Sequence, residues 1–444
     1  MSILRRWIKQ TKGIGIGAVS IMLVLALVAS ACAPVAAAPA EKERVVKIGH
    51  LTALTGAMAS TYVHANHGVT DYIRFVNEHG AGINETLMPK SSRDIVKFFK
   101  DEGIKLEVLW EDTQALLPRS LTAHKRFKHA GIVIELNCSS MPTVVLAPTY
   151  QRDEIPAVHV AHFLPEMITQ PIQWVFAMVA GSGPEGVTFM KWVKDNWTQE
   201  HPPKIGYIIF DFSDAWIAVQ EGKKHAAQVE IDWVGHEVVP AFGTIDTSVE
   251  WLRLAAKEPD AIYVYACGAT LTTLVKDAAR LGIREKVGIL CSTAIGIDEV
   301  ILRAMGEAAE GWYVIRPHPS TVETDLLGVK FASEVAKKYR GFEPEEVASH
   351  YRAGMLFMTL FAEWIKNAIQ KVGHDNLTGA TVRDAIVTTE GFETELVPPI
   401  TVTDRWPYII SMGERIYQVR EGIIWPVSDW LPFAYHYPEL TERR

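Results

Sequence analysis

From residue 45 onward, short runs of apolar and β-branched residues alternate with amphipathic segments. The run VVKIGHL at 45–51 predicts a buried strand, and apolar residues recur every three or four positions at 67–80, which predicts a helix. The same patterns predict further strands at 105–112, 132–137, 156–161, 204–211, 232–239, 260–267 and 286–292, and helices at 120–131, 216–228, 247–257, 270–282, 296–306, 328–341 and 351–373. This alternation predicts an α/β fold with parallel sheets flanked by helices.

The alternation runs twice, before and after residue 203, and each run is long enough for its own sheet. We therefore predict two Rossmann-like lobes. Ligands of parallel sheets bind outside the carboxyl ends of the strands, where helix N-termini and free backbone groups meet. The candidate lining of a shared cleft is the set of loops that follow strands, at 55–60, 138–141, 161–163, 212–216, 267–269 and 292–295.

Residues 1–31 have the pattern of an export signal peptide. Four cations precede a stretch without charge at 13–31, which ends in small residues. The tetrad Ala29-Ser30-Ala31-Cys32 is similar to a bacterial lipobox, although that pattern prefers Leu at the position of Ala29. The similarity implies cleavage before Cys32 and lipid attachment to it. Ordinary secretion and an uncleaved anchor are the alternatives, because so long an apolar stretch can also span a bilayer.

Composition narrows the function once this signal is removed. Cleavage takes away four of the 44 Lys and Arg and none of the 52 Asp and Glu, so the formal net charge goes from −8 to −12. Such an acidic chain is a poor candidate for nucleic-acid binding. Residues 32–44, rich in Ala and Pro, predict a flexible tether. Cys138, Cys267 and Cys291 remain, and an odd number indicates no disulfide framework.

The sequence contains no G-x-S-x-G, H-E-x-x-H, Walker A or C-x-x-C motif. The segment Gly181-Ser-Gly-Pro-Glu-Gly186 matches the dinucleotide pattern G-x-G-x-x-G and lies between a strand-like and a helix-like segment. That pattern needs an acidic residue about 20 positions further on, and Asp211 is more distant. We interpret the motif as a flexible turn and helix start between the lobes. No enzymatic activity, cofactor or metal is predicted.

Many segments, taken in order, resemble the type I periplasmic binding proteins that serve branched-chain amino acid ABC transporters. They are VVKIGHLTALTGAMAS, NEHGAGIN, LEVLWEDTQ, IPAV, KEPDAIYV, ARLGI, AAEGWYV, ATVRDAI, GFET and PVSDWL. Together they extend over about residues 46–432, nearly all of the chain that follows the signal.

The resemblance implies two lobes joined by three crossovers. Lobe 1 would comprise 45–178 and 316–402, and lobe 2 would comprise 179–315 and 403–444. It also implies a monomer that closes on a small solute and delivers it to an ABC permease driven by an ATPase. With lipid on Cys32, the protein would be exported and held at the periplasmic or extracellular face of the membrane. The same fold also serves as a sensing domain in signalling systems, which is the alternative function.

The resemblance also implies site residues. Ser139 and Ser140 match the family's Ser pair, which binds a ligand carboxylate. The other family positions are substituted here. Ala161-His162-Phe163 stands where the family has a Ser-Ala-Thr run. Ala215, beside Trp216, and Cys267 stand where the family has two Tyr, and Thr293 stands where it has the acid that pairs with an α-amino group. Met58, in the loop after the first strand, is a further candidate.

The loss of the acid at Thr293 disfavours an α-amino acid, because a buried ammonium group without a counter-charge costs several kcal/mol. That argument holds unless Asp211, Asp214 or Asp298 supplies the charge. Phe163 and Trp216 suit a flat or apolar ligand body, and His162 can donate a hydrogen bond or carry a charge. The expected ligand is a small carboxylate or amide-like solute, aromatic bodies included, with a branched-chain amino acid as the alternative.

Several of these residues also have purely structural interpretations. Ser139 and Ser140 could cap the helix that follows them, and His162 and Trp216 could be ordinary packing residues. The three cysteines could bind a soft metal or form a disulfide, but small buried thiols are expected. Residues 84–104 form an apparent insertion relative to the family, for which a surface excursion is expected rather than a lid or a permease contact.

Overall fold

The computed structural model describes residues 43–431, apart from 57, 160–172, 179–180, 242, 403–409 and 412. The helices are α1 (Ala59–Asn77), α2 (Lys90–Asp101), α3 (Leu117–Ala130), α4 (Ser140–Asp153), α5 (Ser182–Asp195), α6 (Ser213–Ala226), α7 (Ser248–Ala255), α8 (Gly268–Arg280), α9 (Glu299–Met305), α10 (Leu327–Arg340), α11 (Ser349–Val372) and α12 (Gly379–Val387). The strands are β1 (Arg44–Thr52), β2 (Ile104–Asp112), β3 (Ile132–Asn137), β4 (Ala157–His159), β5 (Val175–Ala177), β6 (Lys204–Phe210), β7 (Asp232–Val239), β8 (Ala261–Tyr265), β9 (Ile289–Ser292), β10 (Tyr313–Arg316), β11 (Thr401–Val402), β12 (Ile410–Ser411), β13 (Arg415–Arg420) and β14 (Ile423–Pro426).

Two separate sheets organise these elements. The first has the order β2-β1-β3-β4-β5 and its pairings are all parallel. The second has the order β14-β13-β10-β9-β8-β6-β7 and is parallel from β10 to β7, with β13 and β14 antiparallel at one end. The predicted α/β fold with two parallel sheets flanked by helices is confirmed.

The chain moves between the two sheets along three segments. It leaves the first sheet after Ala177, and it leaves the second after Arg316 for the helices α10 to α12, whose apolar residues join the first core. It then passes through the small pair β11 and β12 to reach β13. The proposed lobe boundaries, which would make these segments hinges, stay a prediction.

Some elements extend beyond their predicted limits. Helix α1 begins at Ala59 rather than 67, because Tyr62, Ala65 and Val69 continue its buried face through polar-looking sequence. β1 begins at Arg44, inside the predicted tether. The motif Gly181 to Gly186 begins α5, with Gly181 at the N-cap, so the helix start is confirmed.

The insertion at 84–104 is not a surface excursion, so that expectation is wrong. It contains α2, which buries Ile95, Val96 and Phe99 in the first core and contacts α1 and α11. The apolar positions of α2 recur every three or four residues, and this spacing places them on one face of the helix. The insertion therefore adds a packed layer to the first half of the protein.

Helices α1 and α11 cross at two glycines. A Cβ at Gly68 would lie 2.0 Å from the carbonyl oxygen of Tyr351, and a Cβ at Gly354 would lie 2.0 Å from that of Ala65. The two backbones therefore approach more closely than any residue with a Cβ atom would permit at these positions. This crossing brings Ala65 of α1 and Ala353 of α11 to the wall of one cavity.

A buried ionic cluster connects the second sheet to helix α11. Glu299 of α9 accepts hydrogen bonds from Arg316 at the end of β10 (3.0 Å), from Arg352 of α11 (2.8 Å) and from the backbone N–H of Ser349 (2.8 Å). Both guanidinium groups are almost completely buried. Because charges buried this deeply are destabilising unless paired, the cluster is a strong constraint on how α9 and α11 pack.

Candidate ligand-binding cleft

Helices α4, α6 and α8 begin within three residues of the strands that precede them, and α1 follows β1 after a longer loop. None of these four helices has an N-cap side chain that forms a capping hydrogen bond. The N-cap residues are Met58 for α1, Ser139 for α4, Phe212 for α6 and Cys267 for α8. The first N–H groups of a helix have no partner within the helix, and the helix dipole gives that end a partial positive charge. These helix N-termini are therefore suited to binding an anionic or carbonyl oxygen.

The loop after β1 is held by an acidic residue of the neighbouring strand. Asp112, at the end of β2, accepts hydrogen bonds from the backbone N–H of Leu54 (2.9 Å) and from the hydroxyl of Thr55 (2.5 Å). Since β1 and β2 are parallel and in register, Asp112 lies beside Thr52 at the same sheet edge. This contact fixes the path of the loop that leads to Met58.

Sulfur atoms from loops of both sheets are in contact, at a position that we call the candidate floor of the cleft. Met58 Sδ lies 3.7 Å from the Sγ atom of Cys267, so the loop after β1 contacts the start of α8. Met58 also packs against a small buried cluster of Ala53, Tyr62 and Cys138. Ser139, the next residue after Cys138, is thereby placed beside this floor.

The three described cysteines are free and buried. Burial raises the pKa of Cys138 and Cys267 to about 12, so both are neutral thiols at physiological pH. The interpretation as small buried thiols is confirmed. Among the residues that the structure describes, no group of three or more His, Cys, Asp and Glu is arranged to hold a metal ion.

Ser139 does not act as a helix cap. Its backbone is extended, its side chain makes no capping hydrogen bond, and its own N–H donates to Asn137 Oδ1 at 3.0 Å. Thr143 donates its hydroxyl to the Ser139 carbonyl at 2.7 Å, which fixes the first turn of α4. The capping interpretation of Ser139 is therefore wrong. Ser140 is the first residue of α4, and its side chain lies outside the described part of the structure.

Trp216 and Ala215 lie in the first turn of α6. Ala215 is completely buried, while the Trp216 side chain is 36% exposed. The Trp216 indole donates to Asp211 Oδ1 at 3.0 Å and packs edge-on against His236 of β7, with ring centroids 5.5 Å apart. These contacts direct the ring toward the edge strand of the second sheet, and they engage Asp211.

Thr293 is completely buried after β9, and a different acid lies beside it. The Thr293 N–H donates to the Val264 carbonyl at 3.2 Å, and the next N–H, of Ala294, donates to Glu185 Oε1 at 3.0 Å. Glu185 also accepts a hydrogen bond from the Tyr263 hydroxyl. Burial raises the pKa of Glu185 to about 7, against the effect of these hydrogen bonds. The Glu185 carboxyl group is therefore occupied by hydrogen bonds within the protein. The sequence analysis did not identify this residue.

The remaining acids near the candidate cleft, Asp298 and Asp214, both have partners within the protein, and Asp214 Oδ1 accepts a hydrogen bond from the Ser213 hydroxyl at 3.2 Å. Asp298 is engaged, because it caps α9 through the N–H groups of Val300 and Ile301 and lies 2.6 Å from His350 Nδ1. Asp214, in the first turn of α6, is buried, and its charge contributes to raising the pKa of Tyr62 and Cys267 at the floor. Of these acids, Asp214 is therefore the one whose charge acts on residues of the candidate floor.

The predicted residues Ala161, His162 and Phe163 lie outside the described residues, as do Cys32 and the predicted signal peptide. Of the other predicted residues, the structure brings Met58 and Cys267 into contact and places Ser139 beside them. Trp216 and Thr293 lie at separate positions on the second sheet. No helix in the described part of the chain combines the length and apolarity required to cross a membrane.

Comparison with known proteins identifies the family of this chain. A family model described as periplasmic binding protein matches residues 45–407. A comparison with curated protein sequences returns no match.

Among solved structures, the chain is similar to a branched-chain amino acid ABC transporter protein from Thermus thermophilus with bound valine (TM-score 0.72, 20% identity, covering 89% of this chain and 99% of that one). It is also similar to a fatty acid ABC transporter substrate-binding protein from Thermomonospora curvata (TM-score 0.73, 16% identity, 91% and 97% covered). A third is a solute-binding protein from Rhodopseudomonas palustris BisB5 in complex with 3,4-dihydroxybenzoic acid (TM-score 0.68, 17% identity, 87% and 96% covered). These similarities show the shared fold. Together with the family match, which extends over most of the chain, they establish that this protein belongs to the periplasmic binding protein family.

Proposed function

We propose that this protein is the extracytoplasmic solute-binding component of an ABC importer and that its solute is a small organic carboxylate or amide-like compound with an apolar body. The observation that carries the proposal is the uncapped N-terminus of α4 at Ser139, next to a floor formed by Met58, Tyr62 and Cys267. The helix terminus suits an anionic or carbonyl oxygen, and the floor suits an apolar body. Aromatic acids belong to this class.

Three further features support this ligand class. The family acid is replaced by Thr293, Glu185 is held by Tyr263 and Ala294, and Asp298 is held by His350. Valine, a fatty acid and 3,4-dihydroxybenzoic acid, which are named with the three similar structures, share only a carboxyl group. A family whose ligands differ beyond that group is compatible with an acid that lacks an α-amino group.

A branched-chain amino acid is the second candidate, and Asp214 favours it. This residue is buried in the first turn of α6, and its charge acts on Tyr62 and Cys267 at the floor. A carboxylate in this position could offset an ammonium group, which otherwise would be buried without a partner. Asp214 is therefore the residue that separates the two ligand classes.

Delivery requires further partners. We infer that the two lobes, with the boundaries given above, close on the solute and that the closed monomer docks on a permease coupled to an ATPase. Lipid on Cys32 and the tether that follows would hold the exported protein near that permease. The function would be binding rather than catalysis. A role as the sensing component of a signalling system is the alternative, and it would use the same cleft.

The proposal is tested by calorimetric titration of the purified full-length protein with benzoate and with leucine. In Ser139→Asp, a carboxylate at the proposed oxygen site repels the ligand carboxylate, and we expect the affinity for benzoate to fall by about 100-fold or more. Asp214→Asn leaves benzoate affinity unchanged or increased if the acid class is right. If leucine binds to the wild type and Asp214→Asn abolishes that binding, the amino-acid candidate replaces our proposal.

A further inference from the structure

A cavity of about 50 Å³ lies between α1, α11 and the carboxyl ends of β1 and β3. We call it the side pocket. Tyr62, Leu136 and Phe357 contribute apolar surface to its wall, and Ala294 and Ile295 line it from the loop after β9. Tyr62 also belongs to the cluster at the cleft floor. The side pocket is therefore a lateral extension of the candidate cleft, and its volume suits a single small group such as a hydroxyl or a carbonyl rather than a whole ligand.

Polar atoms in the wall of the side pocket lack partners. Both ring nitrogens of His50, the hydroxyl of Thr61 and Nδ1 of His318 are buried and make no hydrogen bond to any described group. The Leu136 carbonyl lies near the His50 ring but not in hydrogen-bonding geometry. His50 and Thr61 are 2% and 1% exposed. Buried polar atoms nearly always pair with protein, ligand or ordered water, so these atoms require a partner inside the cavity.

Two histidines of the side pocket, His50 and His318, are uncharged at physiological pH. Burial lowers the pKa of His50 to about 4 and that of His318 to about 3. A neutral imidazole offers one donor and one acceptor, and a threonine hydroxyl offers both. His350, which also lines the cavity, already pairs with Asp298 through Nδ1. The wall can therefore bind a neutral hydroxyl or carbonyl group, and the residues that line it include no Lys or Arg to offset an anion.

We propose that the side pocket receives an uncharged hydroxyl or carbonyl group at the end of the solute opposite its carboxylate, and that His50, Thr61 and His318 form hydrogen bonds with this group. This inference rests on the proposed binding of an organic acid in the cleft. It narrows the ligand class from apolar acids in general to acids with a distal neutral polar group. A second charged group at that end is disfavoured, because its burial would have no counter-charge.

The test compares two matched ligand pairs by calorimetry at pH 7.5. They are benzoate against 4-hydroxybenzoate and hexanoate against 6-hydroxyhexanoate. A neutral hydrogen bond in a buried site corresponds to a preference of about three- to tenfold, so we expect the hydroxylated member of at least one pair to bind that much more tightly. In Thr61→Val and His50→Phe, this ratio should fall toward one.

Thr359→Val is the matched control. It makes the same replacement in α11, at a buried hydroxyl that donates to the Met355 carbonyl at 2.9 Å, outside the side pocket, and it should leave the ratio unchanged. Equal binding within both pairs in the wild type, or a preference that survives in Thr61→Val and His50→Phe, would overturn the inference and leave the cleft proposal standing. If none of the four acids binds, the proposed ligand class is refuted and the inference with it. Thr61→Val is nearly isosteric, so the test does not depend on the folding of His50→Phe.

Discussion

The ionic cluster around Glu299 gives a quantitative prediction about stability. In Glu299→Gln, Arg316 and Arg352 lose the carboxylate that lies 3.0 and 2.8 Å from them, while both guanidinium groups stay buried. Breaking a buried pair by removing one charge costs about 3–5 kcal/mol. That is a large part of the total stability of a typical protein, which is about 5–15 kcal/mol.

The pKa of Glu299 leads to a similar magnitude. Burial by itself would raise it, but Arg316 and Arg352 lower it from 4.5 to about 2. A difference of this size between the folded and unfolded states corresponds to roughly 3 kcal/mol. Because the folded pKa is the lower one, this stabilisation is complete above pH 4.5 and is lost as the pH falls toward 2. The two arguments are independent, and both predict a loss of several kcal/mol.

The assay is urea unfolding at pH 7, with the free energy obtained from the midpoint and slope. Asp94→Asn is the control, since its pair with Lys90 is exposed (76% and 49%) and should contribute less than about 1 kcal/mol. In Glu299→Gln, the midpoint should fall and the difference from the wild type should shrink at pH 3. A loss below about 1 kcal/mol at pH 7, or a difference that is the same at both pH values, would refute the reasoning.

Two further predictions concern packing and a buried acid. Gly354→Ala places a Cβ 2.0 Å from the Ala65 carbonyl oxygen, so we expect a loss of several kcal/mol by urea unfolding, whereas Gly288→Ala, with its nearest atom at 3.8 Å, should change stability by less than about 1 kcal/mol. Glu185→Gln keeps an acceptor for Tyr263 and Ala294 and removes a group whose folded pKa is raised from 4.5 to about 7, so the wild type loses stability as the pH rises between these values. The variant should lose less stability over this range, although Glu414, whose pKa is also raised by burial, still titrates. At pH 8 the variant should be more stable than the wild type by about 1–3 kcal/mol. Equal or lower stability of the variant would contradict this account of Glu185.

The fold was predictable because each of its features is local in the sequence. Alternating apolar runs identify β1, β3, β6 and β8, and the chain order then dictates parallel sheets with helices on their faces. The start of α1 was less predictable, because the polar residues Thr61, His64 and Asn66 interrupt the periodic pattern of apolar residues that predicts a helix. Helix α2 was missed for a different reason, because comparison with a family pattern treats inserted residues as surface.

The site was predictable only in part. Met58, Ser139 and Cys267 follow strands, and this rule alone places them at helix N-termini. The partners of Glu185 and the convergence of His50 with His318 depend on contacts between residues far apart in the chain. An acid within a glycine motif and a histidine inside an apolar strand were the only signals for them in the sequence. Neither signal has a spacing that predicts a function.

The central claim is that the cleft binds an organic acid without an α-amino group, and thermal unfolding of the full-length protein with a panel of solutes tests it most directly. A ligand that binds only the folded state raises the melting temperature, by an amount equivalent to about 2.7 kcal/mol at 100 times its Kd. We predict that an aromatic or aliphatic acid shifts the transition upward, while leucine, isoleucine and valine do not. An upward shift with these amino acids, and none with the acids that lack an α-amino group, would contradict the claim. The ligand would then be an amino acid, with Asp214 as the candidate partner of its ammonium group.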